Sequence, residues 1–328
     1  MAVSFLVTVI CVPYWIRRAK KAELVGRDMH KLDKRLVAEI GGVPVLIGFL
    51  AGAFTYIGMT TFVLNAPAEN YKTFAMLTSS LIAAMIGLID DILGWKIGLR
   101  QWQKPLLTVF AALPLVVVNA GSSEMGLPLL GSTELSYLYP FIIIPLGIIG
   151  ATNGFNMIGG YNGLEAGLSV IILSTLALVA YFFGHGWLAV LAGTCVTAAL
   201  AFLFYNRYPA RVFPGNTFTY FVGALIAAIA IMGNAEKIAV LLFIPYIIEL
   251  FLKARGLMQK ESFAKLLPDG TLGLPYDKWY GVEHVAISFL QRLAGKATER
   301  RLVLVLLLCE AVLAVAALCF IYFRIGLF

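Results

Sequence analysis

Two adjacent carboxylates, Asp90 and Asp91, follow the apolar run Met85-Ile86-Gly87-Leu88-Ile89. Acids at a membrane boundary are costly to desolvate, so such a pair either marks the solvated end of a helix or serves chemistry there. A second cluster runs Asn153-Gly154-Phe155-Asn156-Met157-Ile158-Gly159-Gly160-Tyr161-Asn162-Gly163, with three Asn and four Gly in eleven residues. A plain turn needs only two or three such residues. Asn offers neutral oxygen ligands and amide donors, and Gly lets the backbone approach a phosphate or a base. A third stretch, Asn206-Arg207-Tyr208-Pro209-Ala210-Arg211-Val212-Phe213-Pro214-Gly215-Asn216-Thr217-Phe218, holds two arginines. They can snorkel to lipid phosphates, or they can line a polar pocket in which Phe213 stacks on a ring. The arm from Arg27 to Lys31 and on through Glu39 to Gly41-Gly42-Val43-Pro44 is a weaker fourth element, since charge beside a span is usually an orientation signal.

The chain has only three His, at 30, 185 and 284, which argues against zinc and Ser-His-Asp chemistry. Its four Cys lie in apolar stretches without CxxC spacing and read as small buried hydrophobes. Hard oxygen ligands together with Lys and Arg suit a magnesium-bound diphosphate.

The elements that must position these residues are set by composition. Of 328 residues, 60% are hydrophobic and 13% charged, against about 25% charged in soluble domains. That excludes a soluble, a disordered or a disulfide-stapled chain, and makes lipid the main solvent. Runs of roughly 17 to 25 apolar residues predict an all-α polytopic membrane protein of about ten helices, at 1–17, 40–64, 73–94, 105–121, 137–157, 163–184, 186–205, 217–234, 237–252 and 302–324. The first run lacks the basic start and cleavage site of a signal peptide and reads as a helix.

With these spans, 22 of the 25 Lys and Arg fall on one side, leaving Lys72, Lys237 and Arg324 for the other. The basic side is expected to be cytoplasmic, with both termini on the opposite side. The reading is a single transmembrane catalytic domain over 1–328 with a long cytoplasmic loop at about 253–301, in which the short apolar stretch 285–294 reads as interfacial or partly inserted. No basic stretch stands apart from the spans, so nucleic acid is not an expected partner. No internal repeat is evident, which counts against the inverted-repeat layout of many transporters. A transporter or flippase of a nucleotide sugar is the alternative reading, and it needs ionisable residues near the midplane of several spans.

Three motifs together resemble the polyprenyl-phosphate N-acetylhexosamine-1-phosphate transferases, and most closely their dolichyl-phosphate branch. They are Gly87-Leu88-Ile89-Asp90-Asp91, Asn153 to Asn156 with Tyr161-Asn162-Gly163-Leu164-Glu165-Ala166-Gly167, and Tyr208-Pro209-Ala210-Arg211-Val212-Phe213-Pro214-Gly215-x-Thr217-Phe218. The resemblance implies ten helices and a site open to the cytoplasm, in the cell membrane or, in a eukaryote, the endoplasmic reticulum. It also implies transfer of N-acetylglucosamine-1-phosphate from UDP-GlcNAc to a polyprenyl (dolichyl) phosphate, with release of UMP. Carried over residue by residue, Asp90 and Asp91 match an aspartate pair beside the diphosphate, and Lys104 a lysine that holds it. Asn156 matches a magnesium ligand, for which manganese is the alternative metal, and Glu39 an acid near the nucleotide. Asn162 and Phe213 match positions that hydrogen-bond and stack on uracil, and Arg211 lies in the same pocket motif. Lys260 and Lys265 fall in place of the sugar-recognising loop, without its His/Arg-rich pattern. The family has an aspartate, the second magnesium ligand, where this chain has Asn216, so turnover is expected to be poor. A homodimer is left open.

Overall fold

The computed structural model describes residues 1–33, 35–67, 69–94, 98–127 and 131–325; Lys34 and Lys96 of the basic side lie outside the described residues. The chain is mostly helical. The helices are α1 (Ala2–Lys21), α2 (Gly42–Gly58), α3 (Asn70–Leu93), α4 (Gln103–Val117), α5 (Ile144–Phe155), α6 (Leu164–Phe182), α7 (Gly186–Asn206), α8 (Gly215–Met232), α9 (Glu236–Leu242), α10 (Ile244–Arg255), α11 (Val282–Ala294) and α12 (Glu299–Ile325). A π-helical turn, Met59–Val63, extends α2, and another, Tyr139–Ile143, leads into α5. Among the described residues seven helices are long and apolar enough to cross a membrane: α1, α2 with its extension, α3, α6, α7, α8 and α12. Two shorter apolar helices cover 103–117 and 139–155.

One expected element takes a different form. The run at 237–252 divides at Phe243 into α9 and α10. Pro245 stands in the first turn of α10, where its missing N–H costs nothing, whereas inside one continuous helix it would remove a hydrogen bond. The stretch 285–294 is the amphipathic α11, with Ala286, Ile287 and Leu290 buried and Val285, Phe289 and Leu293 exposed. Three short antiparallel hairpins join β1 (Val25–Arg27) to β2 (Leu36–Ala38), β3 (Glu124–Leu127) to β4 (Gly131–Glu134), and β5 (Lys265–Leu266) to β6 (Leu272–Gly273). Strands of two to four residues are too short to show an alternating pattern in sequence.

Helix α8 is the axis of the fold, 89% buried over its apolar window and packed mainly on α3 and α5. Lipid tails are as apolar as a side chain, so helices associate here through close packing, which small residues permit. Gly223, Ala224, Ala227, Ala228 and Ala230 supply them, and Phe221 and Phe218 fill the wider gaps against Phe49 and Phe202, with ring centroids 5.1 and 5.7 Å apart. At Gly87 on α3 a Cβ would lie 2.3 Å from the Asn216 carbonyl oxygen, so only glycine lets α3 reach the start of α8. That contact brings the ends of two helices together at the polar cluster.

Candidate active site

Asp90 and Asp91 end α3 and face the first turn of α8. Asp91 Oδ1 accepts the Asn216 N–H at 2.7 Å, and its Oδ2 accepts the Thr217 N–H at 2.9 Å and the Thr217 hydroxyl at 2.7 Å. The unpaired N–H groups of a helix start are thus capped by a carboxylate from another helix, a placement the helix dipole also favours. Gly215 opens α8 at φ +72°, and a Cβ there would lie 2.6 Å from Asp91 Oδ2. Asp90, 5% exposed, accepts the Leu99 N–H on Oδ1 at 2.7 Å. Its Oδ2 meets Lys104 Nζ at 2.6 Å and the Asn216 side-chain amide at 2.9 Å. Asn156, just past α5, accepts the Thr219 hydroxyl at 2.6 Å, and that hydroxyl also lies 3.3 Å from the Asn216 carbonyl. Asn153 ties α5 to α4 by donating to Thr108 Oγ1 at 2.9 Å.

Five of the residues singled out in sequence, Asp90, Asp91, Lys104, Asn156 and Asn216, therefore form one connected cluster drawn from α3, α4, α5 and α8. Its donors are carboxylate and amide oxygens, with one ammonium and no imidazole or thiolate. Such an all-oxygen set fits a hard divalent cation.

Glu39 and Phe213 form a second flank. The Phe213 N–H donates to the Ala38 carbonyl at 2.7 Å, and its own carbonyl accepts from Gly41 at 2.8 Å. The Glu39 carboxyl is raised above the ordinary carboxylate range by burial and then by the charge of Asp91, which places it in the field of the cluster. The Phe213 ring is half-buried.

Asn162 stands differently from its sequence reading. It is 4% exposed, and both ends of its amide are taken by the protein. Oδ1 accepts the Ala210 N–H at 2.6 Å, while Nδ2 donates to Asp28 Oδ2 at 3.2 Å and to Glu299 Oε1. Both hydrogens of Nδ2 are thus engaged within the protein, and Oδ1 already holds one donor. Arg211 is exposed, with its guanidinium 5.6 Å from the Tyr205 ring. Lys260 lies over Tyr276 at 4.9 Å, and Lys265 is exposed on β5. Among the described contacts, none links these three to the aspartate pair.

The partners of Asn162 belong to a closed polar knot that sequence reading missed. Asp28, His30 and Glu299 bring ligand atoms within 4.8 Å of one another, a geometry that can hold a metal. Lys31 fills it instead: its ammonium pairs with Glu299 and lies 3.5 Å from Asp28. The Tyr208 ring centroid lies 4.0 Å from the Lys31 ammonium and 4.4 Å from the Arg300 guanidinium. His30 stacks on Tyr161 with centroids 4.4 Å apart. The two threonines of the cluster were also missed as functional groups. Thr217 stood within a quoted motif, but a hydroxyl alone gave no reason to assign it a role.

Comparison with known proteins bears on this geometry. A family profile described as glycosyl transferase family 4 matches residues 73–234, the segment that holds the aspartate pair, Lys104, the Asn and Gly cluster at 153–163 and the start of α8. A candidate UDP-N-acetylglucosamine–dolichyl-phosphate N-acetylglucosaminephosphotransferase of Saccharolobus solfataricus is 36% identical over 319 residues, covering 96% of this chain and 94% of that protein. The chain belongs to this family. A second relative of the same name, from Sulfolobus acidocaldarius, is 33% identical over 97% of this chain and 94% of that protein. The phospho-N-acetylmuramoyl-pentapeptide-transferase of Streptococcus mutans is 31% identical over 75% of each chain. The UDP-N-acetylglucosamine–dolichyl-phosphate N-acetylglucosaminephosphotransferase of Dictyostelium discoideum is 28% identical, over 74% of this chain and 68% of that one. The protein is a membrane-embedded glycosyl-1-phosphate transferase.

Proposed function

We propose that this protein transfers N-acetylglucosamine-1-phosphate from UDP-GlcNAc to a polyprenyl (dolichyl) phosphate and releases UMP, a first membrane step of lipid-linked glycan synthesis. The observation that carries the reading is the convergence of Asp90, Asp91, Lys104, Asn156 and Asn216 on one cluster at the joined ends of α3 and α8. We read α1 to α8, α9 with α10, and α12 as ten spans of one catalytic domain, with both termini outside and the cluster facing the cytoplasm. The one-sided distribution of Lys and Arg supports that orientation.

In the reaction, a phosphate oxygen of the lipid forms a bond to the β-phosphorus of UDP-GlcNAc, and the bond from that phosphorus to the bridging oxygen breaks. UMP leaves with the electron pair. The second pKa of a phosphate monoester is about 6, so the acceptor is largely dianionic and needs no strong base. This favours direct displacement, in which positioning and charge neutralisation do most of the work. Asn156 and Asn216 would hold magnesium beside Asp90 and Asp91, and the bound ion would neutralise the nucleotide's two phosphates. Lys104 turns its ammonium from Asp90 toward the diphosphate, and Asp90 or Asp91 orients the acceptor. Phe213 stacks on uracil, Glu39 borders the nucleotide, and Arg211, Lys260 and Lys265 supply positive charge around the sugar and phosphates. Asn162 shapes the uracil pocket by holding the 208–213 loop. Isolation of a phosphorylated Asp90 or Asp91 during turnover would overturn direct displacement.

Asn216 removes one negative charge from the metal site, so this chain should turn over slowly. In a UMP-release assay across several UDP-sugars and lipid phosphates, Asn216→Asp should raise the rate by about tenfold, the scale on which changes around a metal alter its binding. Equal rates would remove Asn216 from the metal site. Uptake of labelled UDP-GlcNAc into vesicles without UMP release would replace the transferase by a transporter.

A further inference from the structure

The loop from Asn156 to Gly163 is suspended from three buried carboxylates, each on a different helix. Glu283 Oε1 of α11 accepts the Gly159 N–H at 3.3 Å, Glu165 Oε1 of α6 accepts the Gly160 N–H at 2.7 Å, and Glu299 Oε1 of α12 accepts the Asn162 N–H at 2.8 Å. Tyr161, between them, donates its hydroxyl to the Ser262 carbonyl and accepts the Ala264 N–H, both at 3.0 Å. Three acids on one short loop are far more than a turn requires.

The three acids are not equivalent. Glu165 belongs to the helix the loop leads into, so its bond is local. Glu299 is neutralised by Lys31. Glu283 comes from 124 residues downstream, is 0% exposed, and has no ion-pair partner among the described residues. Its Oε2 is buried without a hydrogen bond, a costly arrangement unless the group is needed where it is. Its place is set in turn by Glu249 on α10, which accepts the Val282 N–H at 2.6 Å and the Ser262 hydroxyl at 3.0 Å and lies 3.4 Å from Lys253 Nζ. A continuous chain of polar contacts thus runs from α10 through the start of α11 to Gly159, three residues from Asn156.

We propose that Glu283 is a positioning residue: through Gly159 it sets where Asn156 presents its amide oxygen to the metal, and it ties that setting to the cytoplasmic loop between α10 and α11. The role at the metal rests on the function proposed above, whereas the tether itself does not, and two readouts separate them. The first is amide hydrogen exchange in peptides spanning 157–163 of the full-length protein in detergent. The second is the magnesium concentration for half-maximal UMP release.

Glu283→Ala removes the acceptor and should speed exchange in that segment by about tenfold, the effect of losing a buried hydrogen bond. It should also raise the magnesium requirement by about tenfold, with KM for the lipid phosphate within about twofold. Glu283→Gln keeps an acceptor oxygen and should restore both readouts. Unchanged exchange in Glu283→Ala overturns the tether. Faster exchange with an unchanged magnesium requirement overturns the positioning role and leaves a structural one. If neither the protein nor its Asn216→Asp form releases UMP while exchange still responds, the transferase reading fails and the tether stands. Should Glu283→Ala not fold, Glu283→Leu, of similar volume and without an acceptor, must give the same two shifts.

Discussion

The molecule holds two clusters of acids and amides that look alike in composition and differ in what fills them. In the knot of Asp28, His30, Asn162 and Glu299, the central cation is Lys31, both ends of the Asn162 amide are paired, and the whole is sealed from solvent. In the cluster of Asp90, Asp91, Asn156 and Asn216, Lys104 approaches from one side, and its side chain and that of Asn216 stay partly exposed. A closed ion network supplies shape, while an open one can exchange its cation for a ligand. Three ligand atoms within 4.8 Å therefore mark a metal site only where no side chain already carries the charge.

Substitutions that empty either cluster test this contrast. Lys104→Ala should cause the largest loss, about 10²–10³ in kcat at saturating substrate, comparable with removing one group that stabilises developing charge. The thermal midpoint should fall less than in Lys31→Met, because the buried Asp90 keeps the Leu99 N–H and the Asn216 amide as partners. A wild-type kcat would remove Lys104 from the chemistry and make the two clusters alike.

Lys31→Met acts on stability instead. It leaves Asp28 and Glu299 buried without their cation, and breaking a buried pair costs about 3–5 kcal/mol. Thermal unfolding in detergent should show that fall, and adding manganese to this variant should recover part of it, since Asp28, His30 and Glu299 then face a vacated position. Manganese stabilising the native protein equally would show that Lys31 does not fill the site.

The smallest effect concerns pH. Burial holds the His30 imidazole below its ordinary value of about 6.5, against the opposing pull of Glu299 and then Asp28. A lowered value means that the unfolded chain takes the proton first as pH falls. The contribution of His30 is therefore complete above about pH 6.5 and is lost below it, down through its native value. His30→Phe keeps a ring on Tyr161 without a titrating group, so the decline in thermal midpoint from about pH 7 to about pH 5 should flatten. An unchanged slope would place the acid sensitivity elsewhere.

Much of the aspartate cluster was legible because its groups are expensive in lipid. Asp90-Asp91 and the surplus of Asn and Gly stand out against an apolar background, and Lys104 lies a short loop away. The closed knot was not legible. Glu299, Asp28 and Asn162 are separated by more than a hundred residues, and each alone reads as a charge or amide at a helix end. Glu283 was hidden for the same reason, since only the fold brings α11 against the 157–163 loop. The break between α9 and α10 was within reach, because Pro245 stands in the middle of the apolar run. The hairpins carry too few residues to announce themselves.

Helix α12 is the most apolar of the seven long helices and yet only 22% buried over its window, with Leu304, Leu308, Val312, Val315 and Phe320 turned outward. Its outer flank answers to the bilayer and not to the protein, so one aliphatic residue can replace another there with little strain on the fold. That leaves an adaptable rim, free to follow the thickness and fluidity of whatever membrane the cell makes, around an axle at α8 where almost every position is already spoken for.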